Sequence, residues 1–196
     1  MKRWSYIFKE IVSYVLMIVV VFGVVKLTNT YIAAQVKVDG RSMDYSLQNG
    51  QRLIVSKFSE PERFDIVVVP APEDPERLYV KRLVGMPGDE LLFIGDRLII
   101  NGVETVEPYL AQKQGETVGN FTRDFTLVEA SGSVVVPEGM IFVLGDNRQN
   151  SLDSRDFGFL PLDDVFGVAK FSVWPFSTFG KLPDYDLDGT GHIQEH

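Results

Sequence analysis

Residues 78–102 read LYVKRLVGMPGDELLFIGDRLIING, and the punctuation of this stretch sets the architecture. Three runs, 78–84, 90–94 and 98–100, are rich in β-branched and aromatic residues. Pro87-Gly88-Asp89, Gly95-Asp96 and Asn101-Gly102 separate them with turn chemistry. The same grammar extends outward. Residues 35–38, 52–55, 66–69, 133–136, 141–144 and 166–173 are further strand-like runs, with Gln48-Asn49-Gly50 and Pro137-Glu138-Gly139 as additional turns. So many short strands predict a mainly β domain, barrel-like or built of several sheets. No solenoid period recurs. Residues 106–130 are more polar and irregular, and read as an insertion or subdomain on the β core. From Lys181 onward the chain reads as an acidic, solvated tail.

Ahead of the strands, residues 11–25 read IVSYVLMIVVVFGVV. With Tyr6, Ile7 and Phe8 before and Leu27 after, the apolar stretch is long enough to cross a bilayer. Lys9 and Lys26 can snorkel towards headgroups, and Trp4, Tyr6 and Tyr31 suit the two interfaces. Lys2, Arg3 and Lys9 precede the span and only Lys26 follows closely. The positive-inside rule therefore places the N-terminus in the cytoplasm and everything after Tyr31 outside. The expected organisation is a cytoplasmic 1–10, an anchor at 11–30, an extracytoplasmic domain at 31–180 and a tail at 181–196. The rival is a cleavable signal peptide ending at Ile32-Ala33-Ala34, but the apolar stretch exceeds a usual signal core. A buried soluble helix fits less well, because no face of the segment is polar.

Composition narrows the chemistry. The net charge of −8 argues against a nucleic-acid partner, which needs a basic surface. Cysteine is absent, which removes thiol nucleophiles, thiolate metal sites and disulfides. The two histidines, His192 and His196, both lie in the tail. A hydrolytic centre in the body of the chain must use another base.

Three blocks carry candidate chemistry. In Val38-Asp39-Gly40-Arg41-Ser42-Met43 a strand-like run meets a glycine turn that presents a hydroxyl beside backbone N–H groups. That arrangement suits a nucleophile beside an oxyanion hole, and equally an ordinary turn serine. In Tyr79-Val80-Lys81-Arg82-Leu83-Val84 a strand places Tyr79, Lys81 and Leu83 on one face and Val80, Arg82 and Val84 on the other. Burial between Tyr79 and Leu83 would lower the Lys81 pKa and make it a general base; a surface lysine is the commoner case. The third block, residues 145–155, reads GDNRQNSLDSR and follows an apolar run. It is either a paired network that holds a site or a solvated or cation-binding loop.

Together these blocks resemble the motif boxes of the bacterial type I signal peptidases. The matching residues are Gly40-Arg41-Ser42-Met43, Tyr79-Val80-Lys81-Arg82 with Gly85-Met86-Pro87-Gly88-Asp89, and Gly145-Asp146-Asn147-Arg148 through Asn150-Ser151-Leu152-Asp153-Ser154-Arg155. Phe64-Asp65-Ile66-Val67-Val68, and Asn101-Gly102 with Glu107-Pro108-Tyr109-Leu110, are similar to stretches of the Gram-positive members. The resemblance runs from the anchor to about Phe176.

The resemblance implies a β-barrel-type catalytic domain, of a fold shared with self-cleaving repressors, behind one transmembrane helix. It implies a serine endopeptidase that cuts preprotein signal peptides after an Ala-x-Ala site at the outer face of the plasma membrane. Ser42 would be the nucleophile and Lys81 its base, with the Ser42 N–H in the oxyanion hole. Ser151 would orient the base, Asp146 would partner Arg82, and Asp153 would pair with Arg155. Val38, Asp39, Gly40, Met43, Leu47, Tyr79 and Val80 would bind the peptide, added as a strand along the domain edge. Neither metal nor organic cofactor is implied, and nothing in the residues specifies an oligomeric state.

Two departures from the pattern stand out. Gly40 replaces a serine found in many Gram-negative members, and Tyr45-Ser46 replaces Pro-Thr, removing a fixed φ and adding a ring. The rival readings are a self-cleaving repressor, which would lack the anchor, and an inactive or specialised anchored homologue serving as a scaffold or in pilus assembly. In the tail, Asp184, Asp186, Asp188 and Glu195 have the spacing of a calcium loop. Pro183 and the lack of an exiting helix count against it.

Overall fold

The computed structural model describes residues 2–188 and 193–195. His192, His196 and the part of the acidic loop from Gly189 to Gly191 lie outside the described residues, as do the side chains of Lys2, Arg3, Trp4, Tyr6, Phe8 and Tyr31. Helix α1 runs Lys2–Tyr31. Within it Lys9–Leu27 forms a window of 19 residues with mean hydropathy 2.3, spanning about 28 Å at the helical rise. Its side chains, among them Val15, Leu16, Ile18 and Phe22, are uncovered all round. Such a surface is costly in water and suited to hydrocarbon.

The strands are β1 (Ala33–Lys37), β2 (Arg52–Ser56), β3 (Ile66–Ala71), β4 (Asp74–Gly85), β5 (Leu91–Ile94), β6 (Arg97–Ile100), β7 (Val103–Thr105), β8 (Phe125–Thr126), β9 (Met140–Leu144), β10 (Leu160–Pro161), β11 (Gly167–Trp174), β12 (Gly180–Lys181), β13 (Tyr185–Leu187) and β14 (Ile193–Glu195). Short helices α2 (Ala111–Glu116), α3 (Leu127–Ser131) and α4 (Ser154–Phe157) lie between them. The main sheet is ordered β1-β2-β11-β3-β4-β9-β10, with β12 added to β11. A second sheet is ordered β7-β6-β5-β8, and β13 pairs with β14.

Burial follows the strand pattern. Leu53 and Val55 of β2 alternate inward, whereas the central strand β3 is buried through Ile66 to Val69. Met43, Leu47, Leu53, Val68 and Val80 pack on one side of the main sheet, and Val67, Val69, Leu83, Ile141 and Val143 on the other. Phe93, Leu98, Phe125 and Phe142 join the two sheets. Strand β4 is exposed from Asp74 to Leu78 and buried from Val80 onward. The candidate base thus sits where a projecting hairpin enters the body.

Three expectations are corrected. Residues 133–136 are not a strand: only Val136 is buried, exchanging two backbone bonds with Gly88 and Asp89, while Val134 and Val135 stay exposed. The subdomain is wider than 106–130, because β5, β6 and β7 build most of its sheet and only β8 comes from that interval. The tail is not merely solvated. Leu182 and Tyr185 are buried, the Tyr185 ring lies 5.4 Å from that of Tyr109, and Asp184 reaches Lys181 and Lys170 at 3.6 and 3.7 Å. The described parts of the acidic segment form a hairpin, not the entering helix of a calcium-binding hand.

Candidate active site

Strand β1 runs into the Ser42 turn, and short bonds hold that turn from behind. Val38 N–H donates to the Gln51 carbonyl at 2.8 Å, and the Val38 carbonyl accepts from Gly50 N–H at 2.9 Å. Gly40 takes φ 96°, open to glycine alone at low cost, and its N–H donates to Asn49 Oδ1 at 3.0 Å. Ser42 then faces outward while Met43 fills the core behind it.

Lys81 enters from β4, opposite Val67 in register. Tyr79 and Leu83 pack in the same apolar cluster on its face, and Val80 in the cluster on the other, as strand alternation requires. The Lys81 ammonium donates to Ser151 Oγ at 3.1 Å and lies 5.2 Å from the Tyr79 ring. Burial is the main influence on it: desolvation lowers its pKa to about 8, the Asp153 carboxylate opposing and Arg155 assisting. Among the described residues no hydrogen bond joins Ser42 Oγ to Lys81 Nζ in this resting arrangement. Both groups line one cavity of about 280 Å³. Such bonds often tighten only when substrate arrives.

Of the residues expected to bind peptide, Val38, Asp39, Gly40, Met43, Tyr79 and Val80 line that cavity. Leu47 does not; it is buried in the cluster behind Met43. Arg41, Arg77, Leu78, Asn150 and Leu152 complete the walls and were not among the residues expected to bind peptide.

The loop after β9 supports both groups. A Cβ on Gly145 would come within 2.5 Å of the Ser42 carbonyl oxygen and would collide with the Ser151 side chain, so only glycine fits there. Arg82 grips Asp146 with two bonds of 2.8 and 2.6 Å and donates a third, 2.8 Å long, to the Phe64 carbonyl. Arg155 likewise donates to Asp153 at 2.8 and 2.7 Å, and Gly145 N–H adds a bond of 3.0 Å to that carboxylate. Burial pushes the Asp153 pKa up, but these donors outweigh it and hold it below the usual range. Asp153 also caps α4. A buried pair that sequence reading missed, Arg148 with Glu107, ties this loop to the subdomain at 2.5 and 3.0 Å.

Chemically, an amine that titrates near pH 8 and shares a cavity with a hydroxyl equips a site to activate that hydroxyl without histidine, metal or thiol. The family model "Signal peptidase, peptidase S26" matches residues 11–174. The chain is similar to signal peptidase I of Bacillus caldolyticus, 43% identical over 80% of this chain and 87% of that one. It is also similar to signal peptidase IB of Staphylococcus aureus strain COL, 36% identical over 87% and 93% respectively. Among solved structures, a signal peptidase I from Enterococcus faecalis V583 is 47% identical with a TM-score of 0.54, covering 56% of this chain and 97% of its own. The matched region contains the turn, the strand and the loop described above, and the chain belongs to the signal peptidase family, peptidase S26.

Proposed function

We propose that this chain is a membrane-anchored serine endopeptidase that removes signal peptides from exported preproteins, with Ser42 as nucleophile and Lys81 as general base. The observation that carries the assignment of roles is a buried amine, its pKa lowered to about 8, sharing a cavity with Ser42. Neutral Lys81 takes the Ser42 proton as Oγ attacks the scissile carbonyl, then returns it to the departing amine. The Ser42 N–H stabilises the oxyanion. Ser151 holds the Lys81 amine in line, and the Arg82–Asp146 and Arg155–Asp153 pairs fix the backbone on either side. The signal peptide lies extended beside residues 77–81, its small side chains in the cavity.

The anchor reading draws support from the junction at residue 32. Ala33 and Ala34 are paired with Ser56 and Val55 in β1, so the rival cleavage site lies within a hydrogen-bonded strand. In this reading α1 inserts with its N-terminus in the cytoplasm and the sheets outside. The deciding experiment incubates detergent-solubilised protein with a preprotein and maps the product by mass spectrometry. S42A and K81M are each expected to abolish cleavage after a small residue. Normal turnover by either variant overturns the assignment of these roles, whereas no turnover by the parent favours an anchored scaffold.

A further inference from the structure

The Ser42 turn is gripped by a residue that does not line the cavity. Asn147 Nδ2–H donates to the Arg41 carbonyl at 3.0 Å, and the Asn147 backbone N–H donates to the Ser42 carbonyl at 2.9 Å. The peptide bonds between Arg41 and Ser42 and between Ser42 and Met43 are trans. In a trans peptide the C=O and the following N–H point in opposite directions. Holding those two carbonyls against Asn147 therefore turns the Ser42 and Met43 N–H groups away from it, and both residues line the cavity, which Asn147 does not border. Neither N–H donates to any described group. Asn147 is itself buried, and the glycine two positions before it packs against the same Ser42 carbonyl, so the clamp has little freedom to shift.

We infer that Asn147 is a positioning residue that aims the backbone N–H groups of the Ser42 turn at the oxyanion formed during cleavage. The inference rests on the peptidase reading of Ser42. Two donors aimed in advance cost no reorganisation when charge develops, which is where such groups act most strongly. Without the amide, the Arg41 carbonyl keeps only the Asp44 N–H, at 3.2 Å, and its peptide plane is free to rotate. The isosteric carboxylate of an N147D variant sets an oxygen against that carbonyl and drives the plane away.

The test uses full-length, detergent-solubilised protein carrying N147D or N147A, with parent and S42A alongside. Misaiming the Ser42 N–H alone, since the backbone bond to the Ser42 carbonyl survives, is expected to lower kcat by about 10- to 100-fold, with KM within about threefold and the acid limb of the pH profile unmoved, because Lys81 is untouched. Affinity for a peptide boronic acid, which takes up the Ser42 oxygen as a tetrahedral anion, should fall in step with kcat. A kcat within threefold of the parent overturns the inference, as does a loss carried by KM alone or a displaced acid limb. If N147D does not fold, N147A, which adds no atoms, decides; failure of both to fold makes Asn147 structural and also overturns it. Normal turnover by S42A would instead sink the underlying peptidase reading, whatever the Asn147 variants do.

Discussion

Lys81 and Arg82 are adjacent cations on one strand, both almost fully buried at 2% and 1% exposure, yet their surroundings differ in kind. Arg82 has a bidentate carboxylate, a backbone carbonyl and the Tyr109 ring 3.8 Å from its guanidinium. Burial works against its charge, but Asp146 outweighs burial and its pKa rises. Lys81 has a hydroxyl and an aromatic ring, with its nearest carboxylates already engaged by arginines, so burial prevails and its pKa falls. Equal burial thus produces a permanent structural cation on one face and a titrating amine on the other. The deciding variable is whether a carboxylate meets the charge.

The sharpest way to break this comparison is to place the same side chain at both positions. K81M should lose preprotein cleavage by about 10⁴-fold or more, measured as single-turnover rate. R82M leaves the Asp146 carboxylate buried and unpaired, and should lower stability by about 3–5 kcal/mol in urea unfolding followed by tryptophan fluorescence. K81M should move the other way. The Lys81 pKa is about 8 in the folded chain against 10.5 unfolded. Below pH 8 the amine is charged in both states and the full burial cost is present, vanishing as pH rises from 8 to 10.5. K81M should therefore gain about 3 kcal/mol at pH 7 and progressively less above pH 8. Opposite signs from one substitution at neighbouring positions is the expected result; destabilisation by both would show that Lys81 is paired after all.

The same titration shapes activity. With a base pKa of about 8, kcat/KM should climb about tenfold per pH unit on the acid side and level off above pH 8. A profile flat from pH 6 to 8 would refute a lysine base. The smallest effect is reserved for an exposed pair: R97A, breaking the 3.4 Å contact with Glu104, should change stability by no more than about 0.5 kcal/mol. That value sets the baseline against which the buried pair is measured.

Much of the site was legible because it is encoded locally. Strand alternation alone assigned Tyr79, Lys81 and Leu83 to one face and Val80, Arg82 and Val84 to the other, and the cores divide that way. Residues 133–136 misled for the opposite reason. Three consecutive valines carry β propensity, but propensity does not supply a partner strand, and here only Gly88 and Asp89 offer two bonds.

The chain's own order of residues was enough to indicate the apolar N-terminal helix, the β class, the glycine turn under Ser42 and the strand face that Lys81 takes. Each depends on periodicity, length or turn chemistry within one short contiguous stretch of chain. Only the tertiary structure decided that Glu107 meets Arg148, that Asn147 holds the Ser42 turn and that Tyr185 packs beside Tyr109 and Arg82. Those contacts join residues dozens of positions apart. Their geometry is set by how the sheets close around the core, and a hydrogen bond of that range leaves no periodic trace in the residues that make it.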